Sequence, residues 1–170
     1  MVDDIAQMLI RHRAIEFGDF TLASGQKSTY YVDIKHSVTE PALLSALGRA
    51  VAERFEFDVI AGVAVGGVPL AVSVSLASNK PYAIIRATDR DHGKAARVIG
   101  DVKGKRVLLI EDVTTSGGSA IYGVEELRKA GAVIDRVVTI VDREQGAESL
   151  LARHGVALLP LTRVSELMNT

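Results

Sequence analysis

Residues 106–119, Arg-Val-Leu-Leu-Ile-Glu-Asp-Val-Thr-Thr-Ser-Gly-Gly-Ser, constrain the chain more than any other stretch. Val107 to Ile110 is a continuous apolar run, the pattern of a strand buried on both faces. Glu111 and Asp112 then set two carboxylates at the end of that strand, followed by Val113. Thr114, Thr115, Ser116, Gly117, Gly118 and Ser119 supply hydroxyls and glycines and lead into a helix. In open α/β sheets this is where ligands bind. Backbone N–H groups and hydroxyls at a helix N-terminus can cradle a phosphate. Two acids beside a phosphate would repel it unless each holds something else, and ribose hydroxyls fit that role. The stretch therefore reads as a ribose-5-phosphate grip. It is neither a G-x-x-x-x-G-K phosphate loop nor a G-x-G-x-x-G dinucleotide fingerprint.

The rest of the chain alternates strand and helix patterns. Residues 2–14 read as a helix with Ile5, Met8, Leu9 and His12 on one stripe. Residues 17–34 read as short strands around a Ser-Gly turn, too short for a domain and expected to cap one edge of the main sheet. Residues 40–55 form a second helix with Pro41 in its first turn. Strands are expected at 58–63, 82–86, 136–141 and 156–159, and helices at 68–77, 119–130 and 147–154. Arg97 to Ile99 reads as a short returning strand. Pro160 and a short terminal helix close the chain. This order argues for an α/β fold, a mostly parallel central sheet flanked by helices.

Net charge is −1, from 20 basic and 21 acidic residues, so no global basic field favours nucleic acid. The chain has no cysteine, which excludes disulfides, thiol nucleophiles and thiolate metal sites and agrees with a cytoplasmic location. Residues 59–79 carry no charge over a length near that of a membrane span. Gly62, Gly66, Gly67 and Pro69 break that run, which reads as strand, loop and helix. The N-terminus lacks the basic and apolar regions of a signal peptide. His12, His36 and His154 have no metal-ligand spacing. Between Ala87 and Lys105 helical periodicity is poor, and a loop of that length in a compact domain is a lid, a binding loop or a misassigned element.

The Glu111–Ser119 stretch resembles the phosphoribosyl diphosphate (PRPP) motif of type I phosphoribosyltransferases. Further matches narrow the resemblance. Residues 20–31, Phe-Thr-Leu-Ala-Ser-Gly-Gln-Lys-Ser-Thr-Tyr-Tyr, are similar to the N-terminal hood of orotate phosphoribosyltransferases. Arg86 to Gly93 resembles that family's mobile loop, and Asp142-Arg143-Glu144-Gln145-Gly146 resembles its base-recognition segment. The matches run in family order from about residue 17 to 146. They imply one phosphoribosyltransferase domain over 1–170, with a hood of residues 1–40 plus the C-terminal segment and a core of about 41–160.

The resemblance implies transfer of ribose 5-phosphate from PRPP to orotate, in pyrimidine nucleotide synthesis. Glu111, Asp112, Arg90 and His92 are then expected at the reacting centre. Arg86, Arg90, His92, Gly66, Gly67 and the whole of Glu111 to Ser119 are expected on PRPP, and Thr115, Arg143, Lys27 and Tyr31 on orotate. The Arg143 guanidinium would match the carboxylate that orotate carries and uracil lacks. The alternative is a surface ion pair with Asp142 or Glu144. Mg²⁺ is expected on the diphosphate and ribose hydroxyls, held mostly through ligand and water. A homodimer whose lid loop reaches the neighbouring subunit is implied, with neither nucleic acid nor membrane as partner. The chain departs from the family where many members carry lysines, at Ala23, Gly66, Ala87 and Arg90. Lys94 and Arg97 are the candidates to compensate. Two other readings stay open, a phosphoribosyltransferase for another base and a PRPP-sensing regulator on the same fold.

Overall fold

The computed structural model describes residues 4–87 and 96–170. Arg90, His92 and Lys94 lie outside them. The apolar runs form one six-stranded sheet from β3 (Val59–Val63), β4 (Tyr82–Ile85), β5 (Val98–Ile99), β6 (Val107–Thr114), β7 (Arg136–Asp142) and β8 (Ala157–Arg163). Its spatial order is β5-β4-β3-β6-β7-β8. All neighbours are parallel except β4 and β5, which pair antiparallel as Ile84↔Ile99 and Ile85↔Val98. The mostly parallel sheet expected from the sequence is present, and Arg97–Ile99 does contain a short returning strand.

Helices cover both faces because each central strand buries side chains on both. Leu108 and Ile110 join a core with α1 (Ile5–Arg11), α3 (Pro41–Arg54) and α4 (Gly67–Ser78). Leu109 and Val107 face the other way, into a core with α5 (Gly118–Lys129) and α6 (Ala147–Arg153). The uncharged 59–79 run resolves into β3, a turn and α4, and among the described residues no helix is long and apolar enough to cross a membrane.

Three readings of the sequence need correction, and one short helix was not expected. The acid pair does not follow β6 but lies inside it. Pairing with β3 stops at Gly62↔Ile110, while pairing with β7 continues to Thr114↔Asp142. The polar residues are held extended by one neighbour alone, so hydrophobicity ends before the strand does. Pro160 likewise sits within β8, paired with Thr139. β8 is an edge strand, where a missing N–H is tolerated. The segment after the hairpin is a short helix, α2 (Ile34–Ser37), capped by the Asp33 side chain accepting from His36 N at 3.1 Å. The hairpin itself, β1 (Ile15–Thr21) and β2 (Lys27–Val32), forms a separate two-stranded sheet and adds no strand to the edge of the main one.

α7 (Val164–Met168) ends the described chain. β3 feeds α4 and then β4 on one side, whereas β6 feeds α5 and then β7 on the other. The strand order thus diverges between β3 and β6, the crevice where open α/β sheets bind ligands.

Candidate active site

Side chains alternate along a strand, and at the end of β6 this alternation separates the two acids. Glu111 follows Leu109 toward α5, where Ser119 Oγ donates to its Oε1 at 3.3 Å. Asp112 follows Ile110 toward the opposite face, where Lys35 Nζ of α2 lies 2.7 Å from its Oδ2. Both carboxylates are buried, each 5% exposed. Burial raises the Glu111 pKa from 4.5 to about 7, with the neighbouring Asp112 charge adding to the rise and Ser119 and Lys35 opposing it. The bond to Asp112 raises the Lys35 pKa, so that amine is firmly charged.

Gly66 closes on Asp112 from α4. A Cβ there would stand 2.6 Å from Oδ2 and 2.8 Å from Cγ. Gly67 packs its backbone against Gly62, and a Cβ on it would meet the Ile110 carbonyl at 2.8 Å. Gly67 permits close helix–strand packing, and Gly66 leaves bare backbone beside the acid.

The loop after β6 has the form of an anion cradle. Gly117 adopts φ +92° at the N-cap of α5, a left-handed conformation that glycine takes at little cost. The first helical bond is donated by Ile121 N to Gly117 O at 3.0 Å, so the amides of Gly118, Ser119 and Ala120 precede it. No acidic residue occupies the first turn. Thr114 sits differently from its neighbours. Its hydroxyl is buried and donates to Asp142 Oδ1 at 2.9 Å, tying β6 to β7. Thr115 is half-buried, Val113 half-buried and Ser116 exposed at the mouth.

Arg143 leaves β7 and stacks on the hood. Its Cζ lies 5.4 Å from the Tyr30 ring centroid, and its Nε is 3.5 Å from the Tyr30 hydroxyl. Its backbone N donates to Thr114 O at 2.9 Å. The acids that could have held it as a surface pair are bound elsewhere. Asp142 lies 3.7 Å from Arg163, and Glu144 accepts from Ser165 N at 2.9 Å and Ser165 Oγ at 3.0 Å. Arg143, Tyr31, Lys35, Asp112 and Val113 line one cavity of about 270 Å³.

Lys27 is not brought to that cavity. Its Nζ donates to Thr21 Oγ1 at 2.7 Å, and it lines a separate depression with Phe20 and Thr29. Arg86 stands at the end of β4, where its carbonyl accepts from Tyr122 Oη at 2.6 Å and its N donates to Arg97 O at 2.8 Å. Arg97 faces α5, with its guanidinium 3.7 Å from Glu126. Sequence reasoning missed Lys35 and Tyr30 as site residues. Tyr30 stood inside the hood motif, whereas Lys35 is 77 residues from its partner and belongs to no pattern. Among the described residues no group of three or more His, Asp or Glu gathers to hold a metal ion.

These features combine a glycine- and hydroxyl-rich loop at a helix N-terminus, two buried carboxylates at a strand crevice and a cavity lined by Arg143 and Tyr31. A family profile described as "Phosphoribosyl transferase domain" matches residues 36–153. The chain is 64% identical over 168 residues to the orotate phosphoribosyltransferase of Methanocorpusculum labreanum, covering 99% of each protein. The crystal structure of orotate phosphoribosyltransferase from Aeropyrum pernix superposes with TM-score 0.83 at 32% identity, over 97% of this chain and 96% of that one. Mycobacterium tuberculosis H37Rv orotate phosphoribosyltransferase in complex with 5-phospho-alpha-D-ribosyl 1-diphosphate superposes with TM-score 0.79 at 25% identity, over 97% and 99%.

Proposed function

The chain belongs to the orotate phosphoribosyltransferases, within the phosphoribosyl transferase domain family, and from that premise we propose that it makes orotidine 5′-monophosphate in pyrimidine synthesis. In this reaction a ring nitrogen of orotate bonds to the anomeric carbon of PRPP as the bond to diphosphate breaks. Positive charge builds on the ribose ring and negative charge on the leaving group, so the protein's task is positioning and charge stabilisation. Glu111 and Asp112 accept the ribose hydroxyls and favour the developing cation. The amides of Gly117 to Ala120 and the hydroxyls of Thr115, Ser116 and Ser119 hold the 5-phosphate, and the bare backbone at Gly66 and Gly67 admits the diphosphate. Arg86, Arg90 and His92 supply positive character from the charged loop, with Arg90 as an electrostatic clamp rather than a proton donor.

Arg143 takes the orotate carboxylate, flanked by Tyr31 and Thr115. The observation that carries this assignment is the placement of Arg143 in a cavity with Asp112, while both neighbouring acids are bound elsewhere. An arginine that lines a cavity shared with the ribose grip suits a base bearing a carboxylate. Uracil would leave it unpaired. The relatives' shared name agrees with this choice over another base or a sensing role.

A Mg²⁺ carried by PRPP would be held beside Glu111 and Asp112 through ribose hydroxyls and water, and among the described residues no group of three or more His, Asp or Glu gathers to cage it. When bound it would neutralise diphosphate charge. A homodimer sharing the charged loop, in the cytoplasm, completes the proposal, and sedimentation of the purified chain tests the dimer.

Loss of orotate absorbance on mixing with PRPP and Mg²⁺, with uracil and purine bases as controls, tests the activity. Turnover of orotate alone is expected, and PRPP binding without turnover of any base would sink the proposal. Arg143→Ala should raise the KM for orotate by about 10- to 100-fold, leaving PRPP binding little changed. Equal weakening of both substrates would remove Arg143 from the base site.

A further inference from the structure

We propose that Lys35 is a positioning residue for PRPP, which acts by neutralising and orienting Asp112 from the hood side. The inference rests on the functional reading above and adds a residue to the ribose grip. α2 carries Lys35 between the hood hairpin and α3, outside the PRPP motif. Its ammonium lies 2.7 Å from Asp112 Oδ2. The Asp112 side chain is 7% exposed and that of Lys35 63%, so the contact delivers a solvent-anchored charge onto a buried acid. α2 is itself fixed. Asp33 caps it, Ser37 Oγ donates to Asp33 O at 2.9 Å, and Asp33 N donates to Ala14 O at 2.9 Å.

Gly66 also packs against the Asp112 carboxylate, and it has no side chain and no charge to offer. Glu111, its neighbour in sequence, is a second acid whose bonded partner is the neutral Ser119 hydroxyl. PRPP is strongly anionic. Without a cation Asp112 would meet its diphosphate as an uncompensated carboxylate. Lys35 offsets that charge before any ligand arrives. A carboxylate accepts at about four lone-pair sites. Asp112 can therefore keep Lys35 on Oδ2 while Oδ1 accepts a ribose hydroxyl, so the ammonium aims the acid and does not compete with the sugar.

PRPP binding with Mg²⁺, measured by titration calorimetry, tests this on the intact protein. Lys35→Met should weaken PRPP about tenfold, and Lys35→Arg should restore most of the loss, since charge and reach are kept. The KM for PRPP should follow the loss in affinity. In an Asp112→Asn background, Lys35→Met should cost nothing further, because its partner charge is gone. Unchanged or tighter PRPP binding in Lys35→Met would overturn the proposal. So would a loss of full size in the Asp112→Asn background, which would make Lys35 a direct PRPP ligand. The wild-type protein binding PRPP without turning over orotate would break the functional reading and leave this one standing. Failure of the wild type to bind PRPP would overturn both.

Discussion

The two faces of the central sheet meet the same strand end and treat it in opposite ways. On the α5 face, Glu111 is buried against a helix whose nearest polar offering is the Ser119 hydroxyl. On the hood face, Asp112 is equally buried but takes a formal charge from Lys35. Adjacent acids in a sequence look interchangeable. Strand alternation makes them differ, because each is sent to a separate layer with its own neighbours. Burial, with the Asp112 charge adding to it, lets Glu111 keep its proton up to about pH 7. The PRPP motif is thus two half-sites. One is assembled locally, from β6 and the helix that follows it. The other is assembled by long-range contacts from α2, α4 and β7.

Neutralising each acid in turn gives the largest test of that contrast. Asp112→Asn removes a charge that Lys35 is built around and leaves the ammonium facing an amide. We expect kcat/KM for PRPP to fall by about 10²- to 10³-fold. Burial raises the Glu111 pKa to about 7, so at neutral pH the free protein carries it partly protonated; Glu111→Gln removes less charge, and the loss should be nearer tenfold. Equal losses, measured with orotate in excess, would erase the distinction between the faces.

Glycines provide the next test. A Cβ on Gly66 would press on the Asp112 carboxylate at 2.6 Å, whereas one on Gly118, on the α5 side, meets nothing within 4 Å. Gly66 has φ −62°, so alanine there is opposed by crowding and not by backbone conformation. Gly66→Ala should cost about 1–3 kcal/mol of stability and weaken PRPP binding. Gly118→Ala should leave stability unchanged or slightly raised, by helix propensity. Thermal unfolding of the two variants side by side checks this. A Gly66→Ala protein as stable as wild type would mean that Asp112 moves freely, which the Lys35 contact opposes.

The same division decides what the sequence could reveal. The apolar run Val107–Ile110, the alternation of strands and helices and the Thr-Ser-Gly loop are local signals, and they led to the sheet, to α5 and to the α5 half-site. The hood half-site is built from contacts across 77 residues, Lys35 to Asp112, and 113 residues, Tyr30 to Arg143. No periodicity reports such contacts. Family resemblance reached Arg143 because it lies in a recognisable segment, and passed over Lys35 because it does not. Lys27 shows the converse. It belongs to the hood motif, yet it bonds Thr21 within the hairpin. Pro160 and the polar end of β6 were misread for a related reason, since hydrogen bonding to one neighbour can hold a strand that composition would end.

The smallest effect isolates the α5 face without any ligand. Burial lifts the Glu111 carboxyl from 4.5 to about 7 in the folded protein. Between those values the folded state holds a proton that the unfolded chain has released. The resulting stabilisation is complete below about pH 4.5 and is lost as the pH rises through about 7, where a buried charge must form. Glu111→Gln has no such proton to lose. Its Tm should match wild type near pH 4.5 and exceed it by several degrees at pH 8, read by calorimetry across the range. Asp112→Asn should behave in the opposite sense at pH 8, because it strands the Lys35 ammonium beside an uncharged partner. If both variants gave the same Tm difference at every pH, the two carboxylates would share one environment, and alternation along β6 would not be what distinguishes them.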